Sequence, residues 1–108
     1  MVPANLYRGI PAPLSEELIE TLAANSHVRI ERIVSWEHAT APGTWYDQEW
    51  PEWVTLLQGE AGLRMEHGET HTLHPGDWVL IPARCRHRVE WTTANPPALW
   101  LAIHFRED

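Results

Sequence analysis

The chain has 108 residues, of which 44% are apolar and 21% charged, and its 15 acidic and 8 basic side chains give a formal net charge of -7. All the basic residues are arginine, which excludes Schiff-base chemistry on a lysine, and Cys85 is the only cysteine, which excludes an intrachain disulfide and a multi-cysteine metal site. The length predicts a single domain over residues 1–108, and the acidic balance argues against nucleic-acid binding, which relies on clustered positive charge.

No apolar run approaches the ~20 residues that a membrane-spanning helix needs, and the N-terminus lacks the basic-then-apolar pattern of a secretory signal. We therefore expect a cytoplasmic protein without membrane or nucleic-acid partners.

Residues 1–26 are predicted to form an N-terminal arm and one short helix. Three prolines interrupt residues 1–14, which favours an irregular arm. Ser15 can cap a helix whose first turn holds Glu16 and Glu17 and whose apolar residues form a stripe, and Asn25 marks its end.

Residues 27–108 are predicted to form an all-β barrel. Short β-branched or aromatic runs alternate with Gly and Pro turns, and no second helical period follows. Eight short strands separated by tight turns suit a sandwich or barrel with mostly antiparallel neighbours. The candidate strands are Val28–Trp36, Thr44–Gln48, Trp53–Gln58, Gly62–Glu66, Thr70–Leu73, Trp78–Ile81, His87–Thr92 and Leu99–Phe105.

Residues two apart on a strand share a face, which predicts the lining of the barrel. Glu52 stands in phase with apolar residues of its strand, and His87 stands in phase with Val89 and Trp91. A carboxylate and an imidazole at the mouth of an apolar barrel can bind a metal, act as an acid–base pair, or hydrogen-bond each other.

Two segments resemble the two motifs of the cupin superfamily. In the first, six residues separate Glu52 from Gly59, which puts Glu52 where the motif has its glutamate, while Gln48 and Tyr46 occupy the positions of the two histidines. In the second, a glycine, five residues, a proline and a histidine follow the pattern, with Arg84 in place of the motif's second glycine and His87 as the histidine. The resemblance covers about residues 28–105 and implies a small single-domain cupin, a jelly-roll barrel of the RmlC-like type.

In metal-binding cupins, two histidines of the first motif, its glutamate and the histidine of the second motif hold a divalent ion. Transferred to this chain, the resemblance implies a metal site on Glu52 and His87, with Gln48 and either Tyr46 or Asp47 supplying oxygen ligands. The metal would be Mn, Fe, Zn or Ni, and the oxygen-rich set leans towards manganese or iron.

Two alternatives to a metal centre stay open. The same polar residues can hydrogen-bond a small ligand without metal, as in a binding or sensor module without turnover. Alternatively, the protein is a metal-independent epimerase or isomerase, with His87 or His104 as the base and Tyr46 as the acid.

Three further residues are candidates for substrate binding. Arg84 stands near the predicted mouth, where its guanidinium can clamp a carboxylate or phosphate or form a plain ion pair. His104 lies in phase with Trp100 on the last strand, so it either enters the cavity or packs between sheets. Trp91 shares the predicted face of His87 and can line the cavity. The resemblance, together with apolar residues on both faces of several strands, also implies a homodimer that binds a small-molecule ligand.

Overall fold

The computed structural model describes residues 1–107 and consists of eight β-strands joined by turns and loops. Each strand pairs antiparallel with its neighbours. The strands are β1 (Leu18–Ala24), β2 (Val28–Ser35), β3 (Glu52–Gln58), β4 (Ala61–Met65), β5 (Thr70–Leu73), β6 (Trp78–Ile81), β7 (His87–Thr92) and β8 (Ala98–Phe105).

The strands form two sheets, one of five strands in the order β1-β2-β8-β3-β6 and one of three in the order β5-β4-β7. Two pairs of consecutive strands are neighbours, β1 with β2 and β4 with β5, whereas β8 returns from the end of the chain to lie between β2 and β3. This insertion brings residues from three distant parts of the sequence side by side on one sheet.

The hydrophobic core lies between the two sheets. It is built from the inward-facing residues of both sheets, among them the fully buried Leu56 of β3 and Leu63 of β4. A smaller cluster of Val34, Trp36 and Leu99 packs on the opposite side of the larger sheet. An all-β fold with two antiparallel sheets confirms the fold class expected from the sequence.

The predicted N-terminal helix is wrong, because the structure places strand β1 there. Its residues pair with β2, so that Ile19 lies opposite Ile33, and the pairing has one irregularity between Thr21 and Ala23. The turn of this hairpin begins at Asn25, whose side-chain oxygen accepts hydrogen bonds from the backbone N–H groups of residues 27 and 28. Pairing with a neighbouring strand therefore overrides the local helical signal. Among residues 1–107, no helix has the length and apolar character needed to cross a bilayer.

The predicted strand Thr44–Gln48 is also wrong, since this segment is a loop with a single β-bridge. Tyr46 exchanges backbone hydrogen bonds with His87, of 2.8 Å and 3.1 Å. On either side the chain bends away, with the N–H of Arg84 donating to the carbonyl of Gln48 and the N–H of Thr44 closing a turn. The other seven strand predictions coincide with observed strands to within one residue at each end.

The N-terminal arm is held against β2 by a buried arginine. The guanidinium of Arg32 donates to the backbone carbonyls of Leu6 and Arg8 and lies 2.6 Å from the carboxylate of Glu20 on β1. A buried guanidinium needs such partners for its donors, and here they tie the arm to the β1–β2 hairpin.

Candidate functional site

A cavity of about 220 Å³ opens between the two sheets. One part of its lining is apolar, with side chains from both sheets, and the other part is polar and titratable. The polar and titratable lining residues are Glu17, Arg29, Glu31, Tyr46, Gln48, Glu52, His87 and His104.

Strand pairing explains why these groups converge. Glu52 at the start of β3 lies directly opposite His104 on β8, and β8 in turn pairs with β2, which carries Glu31. His87, at the start of β7 in the smaller sheet, reaches the same cavity from the other side. The alternation rule correctly predicted that Glu52 and His87 would point inwards.

His87 is buried, and a hydrogen bond to the backbone holds one of its ring nitrogens. Its Nδ1 donates to the backbone carbonyl of Cys85 at 2.9 Å, which leaves Nε2 turned towards Glu52 Oε1 at 3.6 Å. Burial by itself lowers the pKa of His87, but the Glu52 carboxylate and the Cys85 carbonyl outweigh burial, so the pKa lies above its ordinary value. His87 therefore holds its second ring proton to a higher pH than an ordinary histidine does.

His104 forms a second imidazole–carboxylate pair. Its Nε2 lies 3.0 Å from Glu31 Oε1 and 3.9 Å from Glu52 Oε2. The other oxygen of Glu31 accepts from Arg29 Nε at 3.1 Å. A continuous line of charged and titratable groups thus runs from Arg29 at the surface to His87 in the interior.

Tyr46 and Gln48 come from the loop before β3. The ring of Tyr46 lies against that of His87, with centroids 5.5 Å apart and planes inclined by 32°. Burial raises the pKa of Tyr46 and the charge of Glu17 adds to the rise, so the phenol keeps its proton. The side-chain oxygen of Gln48 is buried without a hydrogen-bond partner among the described residues. A buried acceptor without a partner is costly, and a bound ligand or ion would satisfy it.

Asp47 and Arg84, which the sequence placed in the site, lie outside the lining of the cavity. Arg84 Nη1 is 3.4 Å from Asp47 Oδ1, and both side chains are exposed. Asp47 is out of phase with its neighbours Tyr46 and Gln48, which line the cavity. The two predicted residues thus form the plain ion pair that the sequence left open for Arg84.

Trp91 does not share the face of His87, so that prediction is wrong. In the pairing of β7 with β4, Leu63 lies opposite Val89 and Gly62 opposite Trp91, which leaves Glu90 as an extra residue. One extra residue reverses the alternation of side chains. The indole of Trp91 consequently packs over Gly62, where an added Cβ would lie 2.3 Å from it.

The sequence interpretation missed three groups of the cavity, Glu17, Arg29 and Glu31. Glu31 carried a signal, because on β2 it shares a face with Arg29 and Ile33, as Glu52 shares one with apolar residues of β3. Glu17 carried none, since a helical reading of its segment places it on a solvated first turn.

The donor set differs from the four-ligand centre of metal-binding cupins. Within residues 1–107, no group of three His, Cys, Asp or Glu side chains is arranged to hold a metal ion. Glu52 and His87 are the two residues that match the motif by type, and Gln48 adds a neutral amide oxygen. His104, the other imidazole in the cavity, lies within hydrogen-bond distance of Glu31.

The family model of the cupin domain matches residues 34–104, which include β3 to β7 and most of β8. The chain belongs to the cupin family. A solved structure with a TM-score of 0.95 and 38% identity covers 99% of this chain and 100% of its own, and is a candidate mannose-6-phosphate isomerase of Ralstonia eutropha JMP134. A cupin superfamily protein of Desulfitobacterium hafniense DCB-2 has a TM-score of 0.76 and 20% identity over 91% of this cupin and 84% of that protein, which shows the shared fold.

One curated relative shares a short stretch of sequence. The RCS-specific HTH-type transcriptional activator RclR of Escherichia coli K12 is 49% identical over 37 residues, which is 34% of this chain and 13% of the activator. The cupin spans about an eighth of the length of that relative.

Proposed function

We propose that this cupin binds a small oxygenated organic molecule in its cavity and catalyses proton transfer on it, as an isomerase or epimerase does. The observation that carries the proposal is the pair of imidazole–carboxylate contacts, His87 with Glu52 and His104 with Glu31, that open on one cavity. A carboxylate and an imidazole that open on the same cavity can supply a base and an acid.

Glu52 is the proposed base. Its two oxygens lie 3.6 Å and 3.9 Å from the imidazole nitrogens, so neither contact has the length of a good hydrogen bond, and the carboxylate has room to accept a proton from a substrate carbon. His87 is the proposed acid, because its raised pKa favours a proton on Nε2 while Nδ1 is held by a carbonyl. Tyr46, a phenol that keeps its proton, is a second donor beside His87.

The reaction balances as a proton shuttle. Glu52 takes the proton from a hydroxyl-bearing carbon next to a carbonyl, and His87 gives its Nε2 proton to the carbonyl oxygen, which leaves a neutral enediol. Glu52 then returns a proton to the former carbonyl carbon, and the substrate's original hydroxyl gives its proton to His87. This gives the isomer and restores both residues. The full-length likeness to a candidate sugar-phosphate isomerase supports this class of reaction.

The test is exchange of a substrate C–H proton with deuterated water. Protein stripped of metal with EDTA is incubated with mannose, fructose and dihydroxyacetone, and mass spectrometry measures deuterium at the carbon next to the carbonyl. We expect exchange that falls by about 10²-fold or more in Glu52→Gln and His87→Asn. His67→Asn is the matched control, because this side chain is 93% exposed and lies outside the cavity.

Two results would contradict the proposal. Binding without any exchange would assign the cavity to a ligand-binding or sensor module. Exchange that is equally fast in Glu52→Gln and His87→Asn would place the chemistry elsewhere.

A divalent metal centre is the second candidate, and the unpartnered oxygen of Gln48 is the observation that favours it. Gln48, Glu52 and His87 would be the ligands, and the ion would act as a Lewis acid. Elemental analysis of untagged protein decides between the two. Mn, Fe, Zn or Ni at one per chain, lost in Gln48→Leu and in His87→Asn, would establish the metal centre, whereas metal-free protein that exchanges deuterium would rule it out.

We also infer that the protein is a homodimer and is cytoplasmic, with a small molecule as its partner and without nucleic-acid or membrane partners. The exposed apolar residues on the outer face of the five-stranded sheet support the dimer. The net charge of -7 supports the absence of nucleic acid.

A further inference from the structure

The charges around the cavity make it an acidic site. Three carboxylates line it, from Glu17, Glu31 and Glu52, against the single guanidinium of Arg29. If both lining histidines were protonated, three positive charges would only balance the three negative ones. In no protonation state of the histidines, therefore, does the lining with its three ionised carboxylates carry net positive charge.

The positive groups of the lining already face carboxylates. Arg29 donates to Glu31 at 3.1 Å, His104 lies 3.0 Å from the same carboxylate, and His87 is directed at Glu52. An anion entering the cavity would lose its water and find these cations occupied. The cavity thus disfavours a phosphate or carboxylate on its ligand.

The other arginines near the smaller sheet do not compensate. Arg84 is paired with Asp47, and Arg86 with Glu66. Arg88 donates to three backbone carbonyls of the loop before Tyr46. None of these three arginines lines the cavity, so they form no clamp for an anionic ligand.

The opposite kind of ligand is well matched to the lining. The side-chain oxygen of Gln48 is an acceptor without a donor, and the carboxylate of Glu52 can accept further hydrogen bonds. Apolar side chains from both sheets complete the wall, among them Ile33, Val54 and Trp100. A ligand with hydroxyl or ammonium donors and an apolar body satisfies both parts.

We propose that the cavity selects its ligand by charge, accepting uncharged or cationic small molecules with hydrogen-bond donors and rejecting phosphorylated or carboxylated ones. Glu17, half-buried in the chain just before β1, is the specificity-determining residue, because its carboxylate adds to the negative lining without belonging to either imidazole pair. This inference rests on the proposed function in one respect only, which is that the ligand binds in this cavity.

Two probe series with matched shapes test the proposal. The first is mannosamine, mannose and mannose-6-phosphate, and the second is isobutylamine, isobutanol and isobutyrate, which needs no sugar specificity. Binding is measured by NMR from the shift of the Trp100 indole N–H. In each series we expect the anionic member to bind about tenfold or more weakly than the neutral one, and the cationic member at least as tightly.

A charge-reversal variant identifies the residue responsible. In Glu17→Arg, the ratio of the Kd of the anionic probe to the Kd of the neutral probe is expected to fall by about tenfold. Glu16→Arg is the matched control, since the neighbouring Glu16 is exposed and outside the lining, and it changes net charge equally. We expect this ratio of Kd values to be unchanged in that control.

The outcomes separate this inference from the proposed function. Mannose-6-phosphate or isobutyrate bound as tightly as its neutral partner would overturn the charge selection and leave the proton-transfer proposal standing. Lack of deuterium exchange, with the charge ranking as expected, would overturn the proposed function alone. No shift of Trp100 by any member of either series would overturn the charge selection.

Discussion

The two faces of the five-stranded sheet are built from the same strands and differ in almost every property. Along β3, Glu52, Val54 and Leu56 turn towards the smaller sheet and are buried, whereas Trp53 turns outwards. The inner face combines apolar side chains with buried titratable groups around a cavity. The outer face around β3 and β6 is largely apolar and partly exposed to solvent.

Large apolar side chains pack against one another on the outer face. Trp53 and Trp78 lie beside each other with ring centroids 5.9 Å apart, and Leu80 stands opposite Trp53 on β6. Trp78 and Leu80 remain more than half exposed. At Glu52, Trp78 and Leu80, burial follows contact with the second sheet and not the polarity of the side chain. Each strand can therefore serve a site on one side and a contact surface on the other.

Truncating one leucine on each face should give the largest difference in unfolding free energy between the two faces. Leu56 is fully buried on the inner face and Leu80 is 52% exposed on the outer one. We expect Leu56→Ala to lower the free energy of unfolding by about 2–5 kcal/mol, through lost burial and the cavity it leaves. In Leu80→Ala the change should stay within about 0.5 kcal/mol.

Urea unfolding of both variants, at a concentration where light scattering shows monomer, provides the measurement. Equal losses in the two variants would contradict the assignment of the core to the inner face.

The buried Arg32 tests whether the outer face also contains an essential polar contact. Its guanidinium bonds two arm carbonyls and Glu20, and hydrogen bonds to a charged group contribute about 1.5–3 kcal/mol each. Because Glu20 and the arm regain water when Arg32 is removed, we expect Arg32→Ala to cost about 1.5–3 kcal/mol in total. The arm should also become sensitive to limited proteolysis.

Arg32→Lys serves as the control, because it keeps the charge and loses the planar fork. If Arg32→Lys behaves like wild type, charge alone holds the arm, and the bonding described for Arg32 is not required.

Much of the barrel was predictable because its signals are local. Turns at Gly59 and Gly76, both with positive φ, separate runs of alternating residues, and these runs became strands with nearly the predicted bounds. The cupin motifs brought Glu52 and His87 to one cavity for the same reason, since both stand at fixed distances from such turns. Their catalytic and metal-binding roles remain predictions.

The failures arise from pairing between distant segments. β1 looks helical in isolation and becomes a strand because β2 supplies its partner, and with this error the lining residue Glu17 was lost. The extra residue Glu90 reverses the face of Trp91, and it shows only when β7 is aligned with β4. Local sequence does not reveal a register that another strand imposes.

On the inner side, His87 makes the stability of the protein depend on pH. The pKa of His87 lies above the ordinary 6.5, so the folded chain binds this proton more tightly than the unfolded chain. The stabilisation from His87 is therefore fully present below pH 6.5 and is lost as the pH rises through the native pKa. We expect the difference in unfolding free energy between wild type and His87→Asn to favour wild type most at about pH 5.5 and to shrink by about pH 8.5.

Urea unfolding of wild type and variant across this range gives the difference directly, and an NMR titration of the ring gives the native pKa. His67→Asn, at a 93% exposed position, should show no such trend. A wild-type advantage that grows with pH would mean that burial outweighs Glu52 and Cys85 at His87.

The outer face offers the test with the smallest effect on the stability of the single chain. Leu80→Arg replaces an exposed side chain, so its cost to the monomer should stay within about 0.5 kcal/mol. If two copies associate through the outer face around Trp53, Trp78 and Leu80, the same change places a charge in an apolar contact. It should then convert the dimer to a 12.4 kDa monomer, as measured by light scattering. Leu14→Arg is the matched control, because Leu14 is similarly exposed but lies in the arm before β1. A mass that drops in both variants would show that the loss of association is not specific to the outer face, and a wild-type monomer would refute the dimer. A drop confined to Leu80→Arg would show that the outer face is a contact surface and that its exposed tryptophans are there for association, whereas the inner face serves the ligand.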